Sequence, residues 1–148
     1  ELRGFTSADF AKFHPGGALG KKLYLRVVDL SEQNEKPAVF EDSSLKHVIV
    51  EMTEKRLGVT AVVRPDGSLA GVITDGDLRR MLDRGGSLDS IKARDIMGKN
   101  PKTVEAEALA VDALDRMRKN NITQLLVTQG DSYAGVIHLH DLIREGLI

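Results

Sequence analysis

Gly71-Val72-Ile73-Thr74-Asp75-Gly76-Asp77-Leu78-Arg79-Arg80 returns 64 positions later as Gly135-Val136-Ile137-His138-Leu139-His140-Asp141-Leu142-Ile143-Arg144. Gly, Val, Ile, Asp, Leu and the last Arg keep their places. A repeat of this length is too small to bury a robust core alone, so two copies predict a paired module with a cleft between them. Where the copies differ, the two sides of the cleft should differ in function.

Working outward from the first copy, Pro37-Ala38-Val39-Phe40 reads as a short strand. Ser43 or Ser44 can cap a helix running to about Leu57, with Leu45, Val48, Ile49 and Met52 on one face and Gly58 as its C-cap. Val59 to Val63 reads as a buried strand, Pro65-Asp66-Gly67 as a hairpin turn and Leu69 to Thr74 as the return strand. A helix then spans Asp75 to Arg84 and stops at Gly85-Gly86. The second copy repeats this plan: a strand near Asn100 to Val104, a helix Leu109 to Asn120 with Val111, Leu114 and Met117 as its stripe, strands Ile122 to Thr128 and Tyr133 to His138, and a helix from Asp141. Each unit is therefore β-α-β-β-α. Matching Met52 with Met117, Thr60 with Thr123 and Gly71 with Gly135 predicts two extra residues after the first helix of copy one and one extra in the hairpin of copy two. The expected fold class is α+β, two β-α-β-β-α repeats packed as a pseudo-two-fold pair.

Composition narrows the function classes. The chain has 148 residues, is 41% hydrophobic and 29% charged, carries formal net charge -1 and has no Cys. That is ordinary globular composition. It gives no support to a broad nucleic-acid or membrane surface, and it excludes disulfides, thiolate metal sites and a Cys nucleophile. No apolar run reaches the roughly 18 residues of a membrane span and no signal peptide is evident, so the expected location is cytoplasmic. The chain starts at Glu1 and reads as a piece of something longer. Phe5, Phe10 and Phe13 crowd into a segment that can start a short helix capped by Thr6 or Ser7 and stopped by His14-Pro15-Gly16-Gly17; they are expected to pack on a neighbouring domain.

The in-register repeat, with Gly-hydrophobic-hydrophobic-Thr-x-x-Asp-Leu at a strand-to-helix junction, resembles a tandem pair of CBS domains over about Val27 to Ile148. The resemblance implies a compact disc whose clefts take nucleotides and regulate an attached enzyme or transporter. Arg3 to Ala11, His14-Pro15-Gly16-Gly17-Ala18-Leu19-Gly20-Lys21-Lys22-Leu23, Asp29-Leu30, Thr74 to Arg80 and His138 to Leu142 further resemble the arabinose 5-phosphate isomerases, where such a segment joins a sugar-isomerase domain to a CBS pair. That family interconverts ribulose 5-phosphate and arabinose 5-phosphate at the entry to the lipopolysaccharide and capsule sugar Kdo. The implied layout is a connector over 1–24, one CBS domain over 25–86 and another over 87–148. This piece would not itself be an enzyme. The resemblance also implies that His14 reaches an isomerase active site in the full-length protein, where His suits proton transfer.

Thr74-x-x-Asp77 has two readings. As a capping box, it contributes about 1 kcal/mol to helix initiation. As half of a ligand site, Asp77 accepts from ribose hydroxyls while the Thr74 hydroxyl and free N–H groups take a phosphate. Both roles can coexist. His138-x-x-Asp141 keeps the Asp and replaces the hydroxyl, so the two sites should be unequal. Val59, Thr60, Ile122 and Thr123 are expected to wall a base pocket. Arg80 and Arg144, with Arg79 and Arg84, either reach anionic groups or lie on solvated helix faces. His138 and His140 lack a third ligand at metal spacing, Asp75-Gly76-Asp77 lacks the rest of a calcium loop, and Gly16 to Lys22 fails the spacing of a phosphate loop. No cofactor is required. Expected partners are an adenine or cytidine nucleotide or a CMP-Kdo-like sugar nucleotide, the chain's own isomerase domain, and further copies of the chain through the CBS pair. The rival reading is a structural oligomerisation module with no small-molecule ligand.

Overall fold

A computed structural model describes residues 23–148. His14, the Phe5 to Phe13 segment and the Gly16 to Lys22 stretch lie outside the described residues.

The elements are α1 (Val27–Ser31), β1 (Ala38–Phe40), α2 (Leu45–Lys55), β2 (Val59–Val63), β3 (Leu69–Thr74), α3 (Asp75–Arg84), α4 (Ala93–Ile96), β4 (Thr103–Glu105), α5 (Ala110–Asn120), β5 (Gln124–Gln129), β6 (Ser132–His138) and α6 (Leu139–Arg144). They form two three-stranded sheets, ordered β1-β2-β3 and β4-β5-β6. In each, the first pairing is parallel and the second antiparallel. The α+β class and the tandem β-α-β-β-α plan are present, with one short helix added in front of each unit.

The sequence dictates these elements locally. Ser44 Oγ accepts the His47 N–H at 3.1 Å to open α2, and Leu45, Val48 and Met52 are the buried face. The expected C-cap at Gly58 is corrected: Arg56 takes the left-handed conformation (φ 60°) that closes α2, and Asn121 (φ 57°) does the same for α5. The unit offsets are corrected too. Ala38 pairs with Ala61 and Thr103 with Leu126, so β2 and β5 correspond at an offset of 65, the same as Met52 and Met117. No residues are inserted after α2. The counterpart of Thr60 is Leu125, and Thr123 answers to Gly58; the two threonines lie two positions out of register with each other. The single indel lies in the hairpin, where loops tolerate it, but the extra residue belongs to copy one and not to copy two: Val62 pairs with Gly71 nine positions on, Val127 with Gly135 eight positions on.

Three apolar clusters make the core. One lies between the second sheet and its helices, with Leu114, Met117, Leu125, Val127, Ile137 and Leu142 at its centre. A second, around Val48, Met52, Val62 and Ile73, serves the first sheet. The third sits between the two sheets and contains Val59, Ala61, Leu126, Tyr133 and Val136. Strand alternation divides the labour: Ala61 and Leu126 face the opposite sheet, while neighbouring Val62 and Val127 face the helices. The open face of each sheet is thus closed by its twin. Tyr133 is buried there and donates its hydroxyl to the Pro37 carbonyl at 2.7 Å; desolvation, then the nearby Glu51 charge, push its ionisation upward.

Chain order and spatial order cross over. The Val27 and Val28 N–H groups donate to Ala108 and Ala106 of the second unit at 2.8 and 2.9 Å, and Val27 and Leu30 fill that unit's core. Reciprocally, the Ala93 and Arg94 N–H groups donate to Ser43 and Glu41 at 2.9 and 3.0 Å, and Ala93 joins the first unit's core. Neither short helix has a readable periodicity in the sequence, because each is about one turn long. Each unit borrows a short helix from the segment that precedes the other.

Candidate functional site

The repeated motif sits where a β-strand of each sheet hands over to a helix. In the first copy, Thr74 is the N-cap of α3. Its N–H and Oγ1 both contact Asp77 Oδ2, at 2.9 and 3.0 Å, and Asp77 N–H donates back to Thr74 Oγ1 at 3.2 Å. The capping box is complete. Arg80 holds the other carboxylate oxygen at 2.5 Å, with the Asp77 side chain 22% exposed.

Thr74 also faces a cavity of about 190 Å³ between the sheets. Its apolar walls are Val59 and Val72 from one sheet and Ile122 and Leu126 from the other side. Lys102, just ahead of β4, contributes the cation of the lining, and Gln124 supplies an amide whose Nε2 donates to the Leu57 carbonyl at 2.9 Å. So Val59, Ile122 and Thr74 come together as expected. Thr60 does not: it is fully buried and donates its hydroxyl to the Ala61 carbonyl at 3.1 Å. Thr123 is exposed and contacts Gln124 Oε1 at 3.1 Å, outside the lining. Asp77 lies behind Thr74, beside a separate groove shared with Arg80, Arg84 and Asp95.

The second copy has the same backbone and different surroundings. Asp141 Oδ2 accepts the His138 N–H at 2.8 Å, and Arg144 holds Oδ1 at 2.5 Å. A further donor has entered: Asn34 Nδ2, from the loop after α1, lies 2.8 Å from Asp141 Oδ2 and 3.0 Å from the Val136 carbonyl. Asp141 is accordingly buried, its side chain 4% exposed. His138 Nδ1 accepts the His140 N–H at 3.0 Å, which assigns the ring proton of a neutral His138 to Nε2. Desolvation, then the neighbouring His140, lower the proton affinity of His138 against a smaller opposing pull from Asp141. The inequality of the two sites thus has a concrete form, a partly exposed carboxylate in one and a buried one in the other.

The His138 shift has a consequence for stability. A base whose proton affinity is lower when folded leaves the unfolded chain binding more protons, so stability is full above the unfolded value near pH 6.5 and declines as pH falls below it. His138→Thr, which restores the residue of the first copy, should flatten that decline. Thermal melts of both proteins between pH 5 and 8 check it; parallel slopes would show that His138 does not carry the effect.

Lys102, Gln124 and Asn34 were not singled out in the sequence. The available signal was the Asn in each loop preceding a first strand, Asn34 and Asn100. Among the described residues, no cluster of three or more His, Cys, Asp or Glu is placed to hold a metal ion, and no helix is long and apolar enough to cross a membrane.

Comparison with known proteins agrees with this architecture. The chain is 46% identical over 149 residues to arabinose 5-phosphate isomerase KdsD of Yersinia pestis and 42% identical to that of Escherichia coli, in each case over the whole of this chain and 45% of the relative. It thus spans less than half the length of these relatives. Among solved structures, the CBS domain of a membrane protein from Sphaerobacter thermophilus superposes with a TM-score of 0.75 at 22% identity, covering 94% of this chain and 97% of that one. A CBS domain protein from Pyrobaculum aerophilum, solved with AMP, superposes at 0.69 with 24% identity, covering 80% and 90%. The CBS domain of a bacterial CNNM/CorC family Mg²⁺ transporter, solved with ATP, superposes at 0.70 with 20% identity, covering 88% and 93%. The CBS domain family profile matches residues 29–84 and again 93–147, and the chain therefore belongs to the CBS domain family, with two copies in tandem.

Proposed function

We propose that this CBS pair is the regulatory part of an arabinose 5-phosphate isomerase and binds an anionic nucleotide or CMP-linked sugar in the cleft beside Thr74. The observation that carries this reading is the cleft itself: four apolar side chains drawn from both units, with a hydroxyl and a cation in its lining. At about 190 Å³ it is smaller than the roughly 300 Å³ at which complete small-molecule pockets begin, so it takes a base, with sugar and phosphate lying outward. Thr74 Oγ1 and Lys102 Nζ then serve the anionic groups, and Asp77 serves the ribose hydroxyls after yielding Arg80. The whole protein's isomerase activity, with His14 contributing to it, and its place in Kdo synthesis in the cytoplasm belong to the same proposal, supported by identity to KdsD over the full chain.

Calorimetry with AMP, ATP, CMP and CMP-Kdo tests it. At least one should bind below millimolar, and Thr74→Val or Lys102→Ala should each weaken it about tenfold, the loss of one charge-assisted contact. Failure of all four on folded protein would sink the reading. The rival oligomerisation module finds support in Ile49 and Leu82, 38% and 50% exposed on α2 and α3. Sedimentation of Ile49→Glu and Leu82→Glu decides whether that face carries assembly.

A further inference from the structure

We propose that Asn34 is a built-in occupant of the second cleft, standing where the hydroxyl donors of a ribose would stand, so that the chain offers nucleotides a single cleft, the one beside Thr74. The single-cleft clause rests on the reading above; the closure by Asn34 rests on geometry alone.

The two loops that precede the first strands explain the difference. In the first unit's cleft, the loop from Gly98 to Lys102 opens with Gly98 pairing through its backbone: its N–H donates to the Val72 carbonyl at 2.8 Å, and its carbonyl accepts from the Val72 N–H at 3.0 Å. The β3 edge is thereby satisfied by main chain, and Asn100 remains exposed at the rim. In the second, the corresponding loop runs from Glu32 to Pro37. The equivalent carbonyl, Val136, is met by the Asn34 side chain. The same amide nitrogen reaches Asp141 Oδ2 at 2.8 Å. A turn with the Asn34 N–H donating to the Ser31 carbonyl at 3.0 Å fixes the residue there, and Ser31 belongs to α1, which is packed into the second unit's core.

The carboxylate that would receive a vicinal diol is therefore engaged on both oxygens. Asp141 receives Asn34 and the His138 N–H on Oδ2 and Arg144 on Oδ1. Asp77 receives its own Thr74 and an Arg80 that is 73% exposed, and among the described residues no side chain from another segment donates to its carboxylate. An incoming ribose can displace an exposed Arg at little cost; displacing Asn34 requires opening the turn after α1 and uncovering the Val136 carbonyl, a buried polar group.

Two measurements on the 148-residue chain test this. Thermal unfolding should show Asn34→Ala melting several degrees below wild type and Asn100→Ala melting with it. In ¹⁵N NMR the Asn34 side-chain NH₂ should exchange with solvent more slowly than that of Asn100. Calorimetry with AMP, ATP and CMP should give one site per chain, weakened at least tenfold by Asp77→Ala and unchanged in stoichiometry by Asp141→Asn. Two equivalent sites in wild type, or an Asn34→Ala protein as stable as wild type, would overturn the proposal. If none of the three nucleotides binds, the ligand reading fails, and the melts and NH₂ exchange still decide whether Asn34 closes the cleft.

Discussion

Asp141→Ala should cost about 3 kcal/mol of folding stability, and Asp77→Ala about 1 kcal/mol, although the two residues occupy the same motif position. Both cap a helix through the N–H of the residue three before them, at 2.8 and 2.9 Å. Both hold an Arg three residues on. If the cap and the ion pair were all, the costs would match. The difference is burial. The Asp141 side chain is 4% exposed, so its removal strands Asn34 Nδ2 with only the Val136 carbonyl, frees one end of the network that closes the loop after α1, and leaves a cavity that water enters poorly. Asp77, at 22%, surrenders to solvent what it gives up, and its Arg80 partner is 73% exposed and adds little. Urea unfolding of the two single variants reads the contrast directly. At roughly 2–4 °C per kcal/mol for a chain of this size, the melting temperatures should differ by several degrees. Equal losses would mean that the second carboxylate is no better held than the first and would remove the physical basis of the asymmetry.

Much of this architecture was legible because it was written twice. Ser44, Pro65-Asp66-Gly67 and Gly85 punctuate the first unit with residue types whose local chemistry admits few alternatives, and the elements fall where those signals place them. What stayed illegible were contacts between segments far apart in sequence. Val27 to Ser31 and Ala93 to Ile96 are each about a single turn, too short for periodicity to show, and their partners lie in the other unit. The same holds for the site. Thr74 and Asp77 announce themselves by spacing three apart, whereas Asn34 reaches Asp141 across 107 positions and Lys102 enters the cleft only because of how the sheets face each other. The Thr60 and Thr123 pairing shows the converse error. Shared residue type suggested a shared role, but the strand register sets Thr60 against Leu125, and alternation turns its side chain into the first unit's interior.

Gly71→Ala should destabilise the chain by about 3 kcal/mol, the upper end of what one added methyl does in a packed interior. The repeat's opening glycine is easily taken for a turn residue, but Gly71 lies inside β3, paired with Val62. Its constraint is space. A Cβ at this position would stand 2.5 Å from the Gly98 carbonyl oxygen and 2.8 Å from Met97 Sδ. The thioether can swing aside; the carbonyl cannot, because Gly98 is tied by two backbone hydrogen bonds to Val72, the very next residue. Relieving the clash means breaking that bridge, which leaves the β3 edge unpaired and lifts α4 from the first unit's core, where Ala93 is fully buried. The bridge also positions the loop that carries Lys102, so the variant should lose nucleotide affinity by a larger factor than its stability at 25 °C alone accounts for. Gly98→Ala is the matched control. Its added Cβ would meet nothing closer than 3.8 Å, and it should melt within about 0.5 kcal/mol of wild type. Chemical denaturation of the pair, with binding measured where both remain folded, checks the claim. If Gly71→Ala proved as benign as Gly98→Ala, the loop would have to be free to retreat, and Gly71 would owe its place to something other than the helix the first unit borrows.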